Sequence, residues 1–243
     1  MSKYATPNKS FQENIFTDYI REITYGASDG IVTTFTIIAG FTGANSAGEG
    51  MMEITTFVVL LFGFASLLAD AISMGLGDYL SSKAGDEAYD SLMKFESRRM
   101  QEDVRLVRQE TYQELRKKGF SDEDAESVLK LFTNNERFWQ KWLVHERHGV
   151  PDPGDSHPIT AGFVTAGSFF VLGGIPLLSF WVYQSDPTMA FIASLISVLF
   201  CWLILGMLRW VSSRHGLLRT TMETVGIGSV AASIAFFVGR FIG

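Results

Sequence analysis

Long apolar segments limit what this chain can fold into more than any other feature. Ile54–Gly77, Ile159–Tyr183 and Met189–Leu208 each reach the roughly 20 residues that a helix needs to cross a bilayer. Thr221–Ile242 does so with Glu223 and Arg240 near its ends. In hydrocarbon the backbone must satisfy its own hydrogen bonds, so such segments are read as helices. Between Gly30 and Phe41 the apolar core is shorter. A spanning helix there has to extend upstream through Tyr25, which draws Asp29 into the bilayer or its edge. The expected fold is an all-α membrane protein with five transmembrane helices. Charged residues make up only 19% of the 243, low for a soluble domain of this length.

Charge placement predicts the orientation. Lys3, Lys9 and Arg21 precede the first span, and Gly43–Gly50 carries no basic residue. Most of the 20 Lys and Arg residues lie between Asp78 and Pro158. Gln184–Thr188 has none, Arg209, Arg214 and Arg219 lie between the last two spans, and Arg240 alone falls beyond them. By the positive-inside rule the N-terminus and the central segment are expected in the cytosol and the C-terminus outside it. Residues 1–16 are polar and show no apolar signal core, so the first span is expected to direct its own insertion. The lone Cys201 gives no disulfide framework, and no basic stripe suggests nucleic acid.

Three regions follow: 1–78 with spans one and two, 79–157 as a helical cytosolic insert, and 158–243 with spans three to five. The insert's first helix is expected to continue from span two as far as Lys118, since neither Pro nor a turn cluster interrupts it. Gly119 ends it after Arg116, Lys117 and Lys118, basic residues favoured at a helix C-terminus. Ser121-Asp-Glu-Asp124 resembles a capping box opening a second helix, with Val128, Leu129, Leu131 and Phe132 as its buried face. Asn134 or Asn135 can cap a third, containing Phe138, Trp139, Trp142 and Leu143. Gly149-Val-Pro-Asp-Pro-Gly reads as an extended linker, and Pro176 as a kink or break in span three. Glycines in the spans permit close helix approach.

The chemistry lies in acidic residues at membrane depth. Each such carboxylate costs about 2.5–3.5 kcal/mol on insertion scales unless a partner or pathway accommodates it. Asp70, Met74 and Asp78 stand at four-residue spacing on one helix face, and Asp18, Glu22 and Asp29 share another at offsets of four and seven. A thioether between two carboxylates is a mixed soft and hard donor set, which suits a transition-metal ion. The plainer alternatives are Met74 as packing filler and Asp18, Glu22 and Asp78 as interfacial residues solvated by headgroup water. Carboxylates held away from water take up protons near neutrality, so the same residues can couple metal movement to protons.

The segments Tyr25-Gly-Ala-Ser-Asp-Gly-Ile-Val-Thr-Thr and Ala69-Asp-Ala-Ile-Ser-Met-Gly-Leu-Gly-Asp-Tyr-Leu-Ser resemble the signatures of the vacuolar iron transporter (CCC1-like) family. Arg116-Lys-Lys-Gly-Phe, Gly173-Gly-Ile-Pro-Leu-Leu and the closing Gly239-Arg extend the likeness over nearly the whole chain. The resemblance implies a five-span homodimer in lipid, with no permanently bound cofactor, moving Fe2+ and often Mn2+ out of the cytosol in exchange for protons. It implies Asp29 and Met74 as translocation residues, with Asp18, Glu22 and Asp70 lining the cytosolic approach. The membrane is expected to be the plasma (inner) membrane in a prokaryote and a vacuolar or similar one in a eukaryote.

The insert departs from that pattern. In the family it is a three-helix metal-binding domain with two Glu-x-x-Glu pairs on its first helix and a Met and a Glu on its third. Here Arg99 and Glu102 fall at the first pair, Glu110 and Gln113 at the second, and Trp142 or Leu143 with Glu146 on the third helix. Glu102, Glu110 and Glu146 are the remaining candidate ligands, with His145 and His148 beside them. The alternative is a solvated charged face on a regulatory insert. An Arg at 4 Å repels each unit of a metal ion's positive charge by about 1 to 4 kcal/mol for effective dielectrics between about 80 and 20. A di-iron oxidase needs Glu-x-x-His pairs, which are absent from the sequence. The remaining rival is a transporter or sensor of another cation that uses the membrane carboxylates without the thioether.

Overall fold

The computed structural model describes residues 19–46, 56–154, 157–213 and 217–242, and all the regular structure among them is α-helix. The helices are α1 (Ile20–Asn45), α2 (Thr56–Glu102), α3 (Val104–Lys117), α4 (Asp122–Asn134), α5 (Glu136–His148), α6 (Pro158–Val182), α7 (Pro187–Ser213) and α8 (Leu217–Ile242). They form two compact units, Met1–Tyr79 with Ile159–Gly243, and Leu80–Pro158. The 47-residue α2 contributes to both.

Among the described residues four helices are long and apolar enough to cross a bilayer: α2, α6, the Pro187–Leu208 part of α7 and the Thr221–Ile242 part of α8. The polar residues of α1 keep it below that mark, although its 26 residues extend about 39 Å at 1.5 Å each. Within this unit α1 is central. Ala27, Ile31, Phe35 and Ala39 pack with Val198, Cys201, Trp202 and Leu205 of α7 and Ala232 of α8. Ile38 joins Leu60, Leu67 and Ala71 of α2 and Phe169, Leu177 and Phe180 of α6 in a second cluster, with Met74 at its edge. In lipid such packing gains dispersion energy rather than hydrophobic free energy, so close approach counts most. A Cβ at Gly173 would lie 2.7 Å from the Gly30 carbonyl oxygen, and one at Gly75 would lie 2.6 Å from that of Gly162. These glycines hold α6 against both α1 and α2. Pro176 is buried inside α6 and does not end the helix.

The second unit buries Met100, Val107, Leu115, Ala125, Leu129, Phe132, Trp139 and Leu143. Here water supplies the drive, at about 1.5–3 kcal/mol for each large apolar side chain fully removed from it. The Trp139 indole N–H donates to Thr111 Oγ1 at 3.0 Å, so the largest ring in the core has its polar atom satisfied. Gly119, at φ 94°, takes the left-handed conformation just after α3. The Ser121 hydroxyl accepts from the Asp124 amide at 3.1 Å and opens α4, and Asn135 does the same for α5 through Phe138.

Two expectations need correction. The helix expected to run unbroken to Lys118 stops at Glu102, because the Asp103 carboxylate accepts from the Arg105 and Leu106 amides and caps a new helix. Leu131, expected in the buried face of α4, is 69% exposed, while Ala125 takes an interior place.

Candidate functional site

Helices α1 and α2 run antiparallel and bring their acidic faces level with one another. Near one end the Phe41 and Phe62 rings lie 6.1 Å apart, and midway Asp29 and Asp70 interact electrostatically. At the other end Arg21 Nη2 approaches Asp78 Oδ1 at 3.8 Å while its Nε meets Glu22 Oε1 at 3.2 Å. The result is two acidic rungs, Glu22 with Asp78 and Asp29 with Asp70. They are separated by about 10 Å along α1 and about 12 Å along α2, from the helical rise. Met74 lies on α2 midway between Asp70 and Asp78 and is half-buried.

The rungs differ in their surroundings. The side chains of Glu22 and Asp78 are only 11% and 13% exposed. The buried Thr165 hydroxyl of α6 donates to Asp78 Oδ2 at 2.7 Å, which fixes that carboxylate. Glu22 Oε2 is buried without a hydrogen-bond partner. Asp29 is exposed, with Tyr25 one turn before it on the same face of α1 and Ser73 one turn beyond Asp70 on α2. Asp18 lies outside the described residues. Among the described residues no group of three or more His, Cys, Asp and Glu side chains converges as a metal site would.

The three expected insert ligands are not brought together. Glu110 receives Arg99 Nη2 and Arg147 Nη2, each at 2.6 Å. Burial disfavours its charge, but the hydrogen bonds and charges of Arg99 and Arg147 outweigh that and hold its carboxyl below the usual range. Glu146 pairs with Lys118 Nζ at 2.5 Å, and Glu102 is exposed. Sequence reading did not single out Glu96, which is fully buried and meets Arg99 at 3.2 Å and His148 at 3.0 Å. The available signal was its i,i+3 spacing to Arg99. Arg21 and Thr165 were also missed as partners of Asp78. Their association depends on how α1, α2 and α6 pack.

A helical membrane protein with paired carboxylates and a thioether on neighbouring helices belongs to the class that handles ions within the bilayer. The family model described as the VIT family matches residues 20–240, and the chain belongs to that family. It is 28% identical over 229 residues to a protein of Arabidopsis thaliana named vacuolar iron transporter 1, a match covering 93% of this chain and 86% of that one. A Toxoplasma gondii protein named vacuolar iron transporter is 29% identical over 245 residues, covering 97% of this chain and 78% of its own length. Protein CCC1 of Saccharomyces cerevisiae is 28% identical over 244 residues, covering 97% and 73%.

Proposed function

We propose that this chain is a proton-coupled transporter that moves Fe2+, and also Mn2+, out of the cytosol. The observation that carries the reading is the pair of acidic rungs on α1 and α2 with Met74 between them. Carboxylate oxygens attract a divalent ion from water, and the thioether adds a soft donor that iron accepts and alkaline-earth ions do not use. Asp18, Glu22 and Asp78 gather the ion at the cytosolic end, and Met74 with Asp29 forms the passage point, where Asp70 faces Asp29. Asp29 and Asp70 repel when both are charged. A metal ion and a proton each relieve that repulsion, so the two compete for one site and their movements are linked.

In this reading α1 also crosses the bilayer, as the first of five spans, and the basic residues of the central unit favour a cytosolic position for that unit and for the N-terminus. Two copies meet along the face that carries Asp29, so that the same donors reach the ion from both subunits. The relatives named vacuolar iron transporters support iron as cargo.

The test is uptake of Fe2+ and of Mn2+ into proteoliposomes, with and without an inward-acidic pH gradient, by wild type, Asp29→Ala and Met74→Ala. Wild type is expected to transport both ions faster with the gradient. Asp29→Ala should abolish uptake of both, and Met74→Ala should slow Fe2+ more than Mn2+, which depends least on sulfur. Undiminished uptake by Asp29→Ala would overturn the site. Absence of both activities in wild type would shift the reading to another cation.

A further inference from the structure

The central unit contains a closed ring of charges. The Glu96 side chain has no accessible surface, yet its carboxylate meets Arg99 Nη1 at 3.2 Å, His148 Nε2 at 3.0 Å and Arg147 Nη1 at 3.9 Å. Glu110, on α3, binds the same two guanidinium groups at 2.6 Å each. Two carboxylates and two arginines thus alternate around a ring that joins α2, α3 and α5. Phe95 covers part of it, with its ring 5.8 Å from Arg99 Cζ and edge-on to His148 at 6.1 Å.

We propose that Arg99 and Arg147 are built-in counter-cations that take the place of a divalent metal, so that the insert stays folded without metal and does not respond to its concentration. A divalent ion needs several oxygen donors close around it. Here the oxygens of Glu96 and Glu110 already accept charge-assisted hydrogen bonds, the strong class, from donors on α2 and α5. Removing a buried carboxylate from such partners carries its full desolvation penalty.

The approach from solvent opposes a metal as well. A cavity of about 570 Å³ opens beside the ring, and its wall carries Arg99, Arg147 and Lys117 against only Glu110 and Glu114. Glu114 is itself paired with Lys117 at 2.9 Å. The cavity therefore presents an excess of positive charge. The ring stands whether or not the membrane unit transports metal.

Hydrogen exchange of the full-length protein in detergent, read on peptides from 95–117 and 139–149, tests this in EDTA and in excess Mn2+. Wild-type insert peptides are expected to exchange equally in both. Arg99→Gln leaves Glu96 and Glu110 short of a cation, and exchange in EDTA should rise about tenfold, as for loss of a charged hydrogen-bond partner. Mn2+ should then restore protection, because the freed carboxylates can accept it. Arg99→Lys keeps the charge and should remain indifferent to Mn2+. Greater protection of the wild-type insert in Mn2+ overturns the proposal, and so does an Arg99→Gln protein that exchanges like wild type. If Arg99→Gln does not accumulate as folded protein, Arg147→Gln carries the same expectations and decides the matter with the wild-type comparison.

Discussion

Arg21 bridges Glu22 and Asp78, the lower acidic rung, while its own side chain is 78% exposed. A cation tethered there would compete for the same oxygens with a metal ion on the proposed path. Exposed ion pairs of this kind are worth up to about 1 kcal/mol, so Arg21→Gln should lower the KM for Mn2+ uptake by about twofold to fivefold. Arg21→Lys, which keeps the charge, should stay near the wild-type KM. An unchanged or higher KM in Arg21→Gln would rule the competition out. The carboxylates themselves were legible in the sequence, since an acid inside an apolar run needs a reason and four-residue spacing assigns it a face. Their partners were not. The Thr165 hydroxyl reaches Asp78 across 87 residues of chain, and no local pattern encodes that pairing.

Among the elements, the break between α2 and α3 turns on one side chain. Asp103 accepts from the amides of Arg105 and Leu106, which would otherwise be unsatisfied. Asp103→Ala should cost about 1 kcal/mol, the usual value of an N-cap, and hydrogen exchange at those two amides should speed up. An aspartate without a neighbouring Gly or Pro is a weak stop signal in sequence, and so a single helix was expected. The glycine at 119, the cap at Ser121 and a cap at Asn134 or Asn135 were legible because their residue types have few other uses at those places, and the structure selects Asn135. The same unit has a defined acid response. The Glu110 carboxyl is held below its ordinary value of 4.5 by Arg99 and Arg147 against the opposing effect of burial, and Asp152 is held below 3.8 chiefly by its hydrogen bond from Lys141. Groups depressed in the folded state stabilise it above their unfolded values and lose that contribution as pH falls through the folded ones. Exchange protection of the insert should therefore be flat from neutrality to about pH 5 and decline below it. Glu110→Gln should flatten the decline, and a curve equally steep in that variant would assign the acid response elsewhere.

For the whole molecule, the decisive fact is that Asp29 is exposed on a bundle whose other outward residues at that depth are largely apolar. Facing hydrocarbon, such a carboxylate costs several kcal/mol, and among the described residues one chain gathers no group of three acidic, His or Cys side chains to hold an ion. A second copy placed on the same face answers both problems. A two-fold interface repeats one patch, so in the proposed dimer it would cover both Asp29 side chains and double the donors. The patch must then include Ser73, which is exposed and one turn from Asp70, and exclude Leu68, which is 49% exposed but points away around the α2 axis. With Cys201→Ser as background, Ser73→Cys should form a disulfide-linked dimer on mild oxidation in native membranes, and Leu68→Cys should remain monomeric. Equal cross-linking would indicate random collision in the membrane, and preference for Leu68→Cys would move the interface to the opposite side of α2. Because Ser73 lies beside the upper acidic rung, bound Mn2+ should also change the rate of its cross-linking, whereas a partner seated elsewhere would leave that rate unaltered.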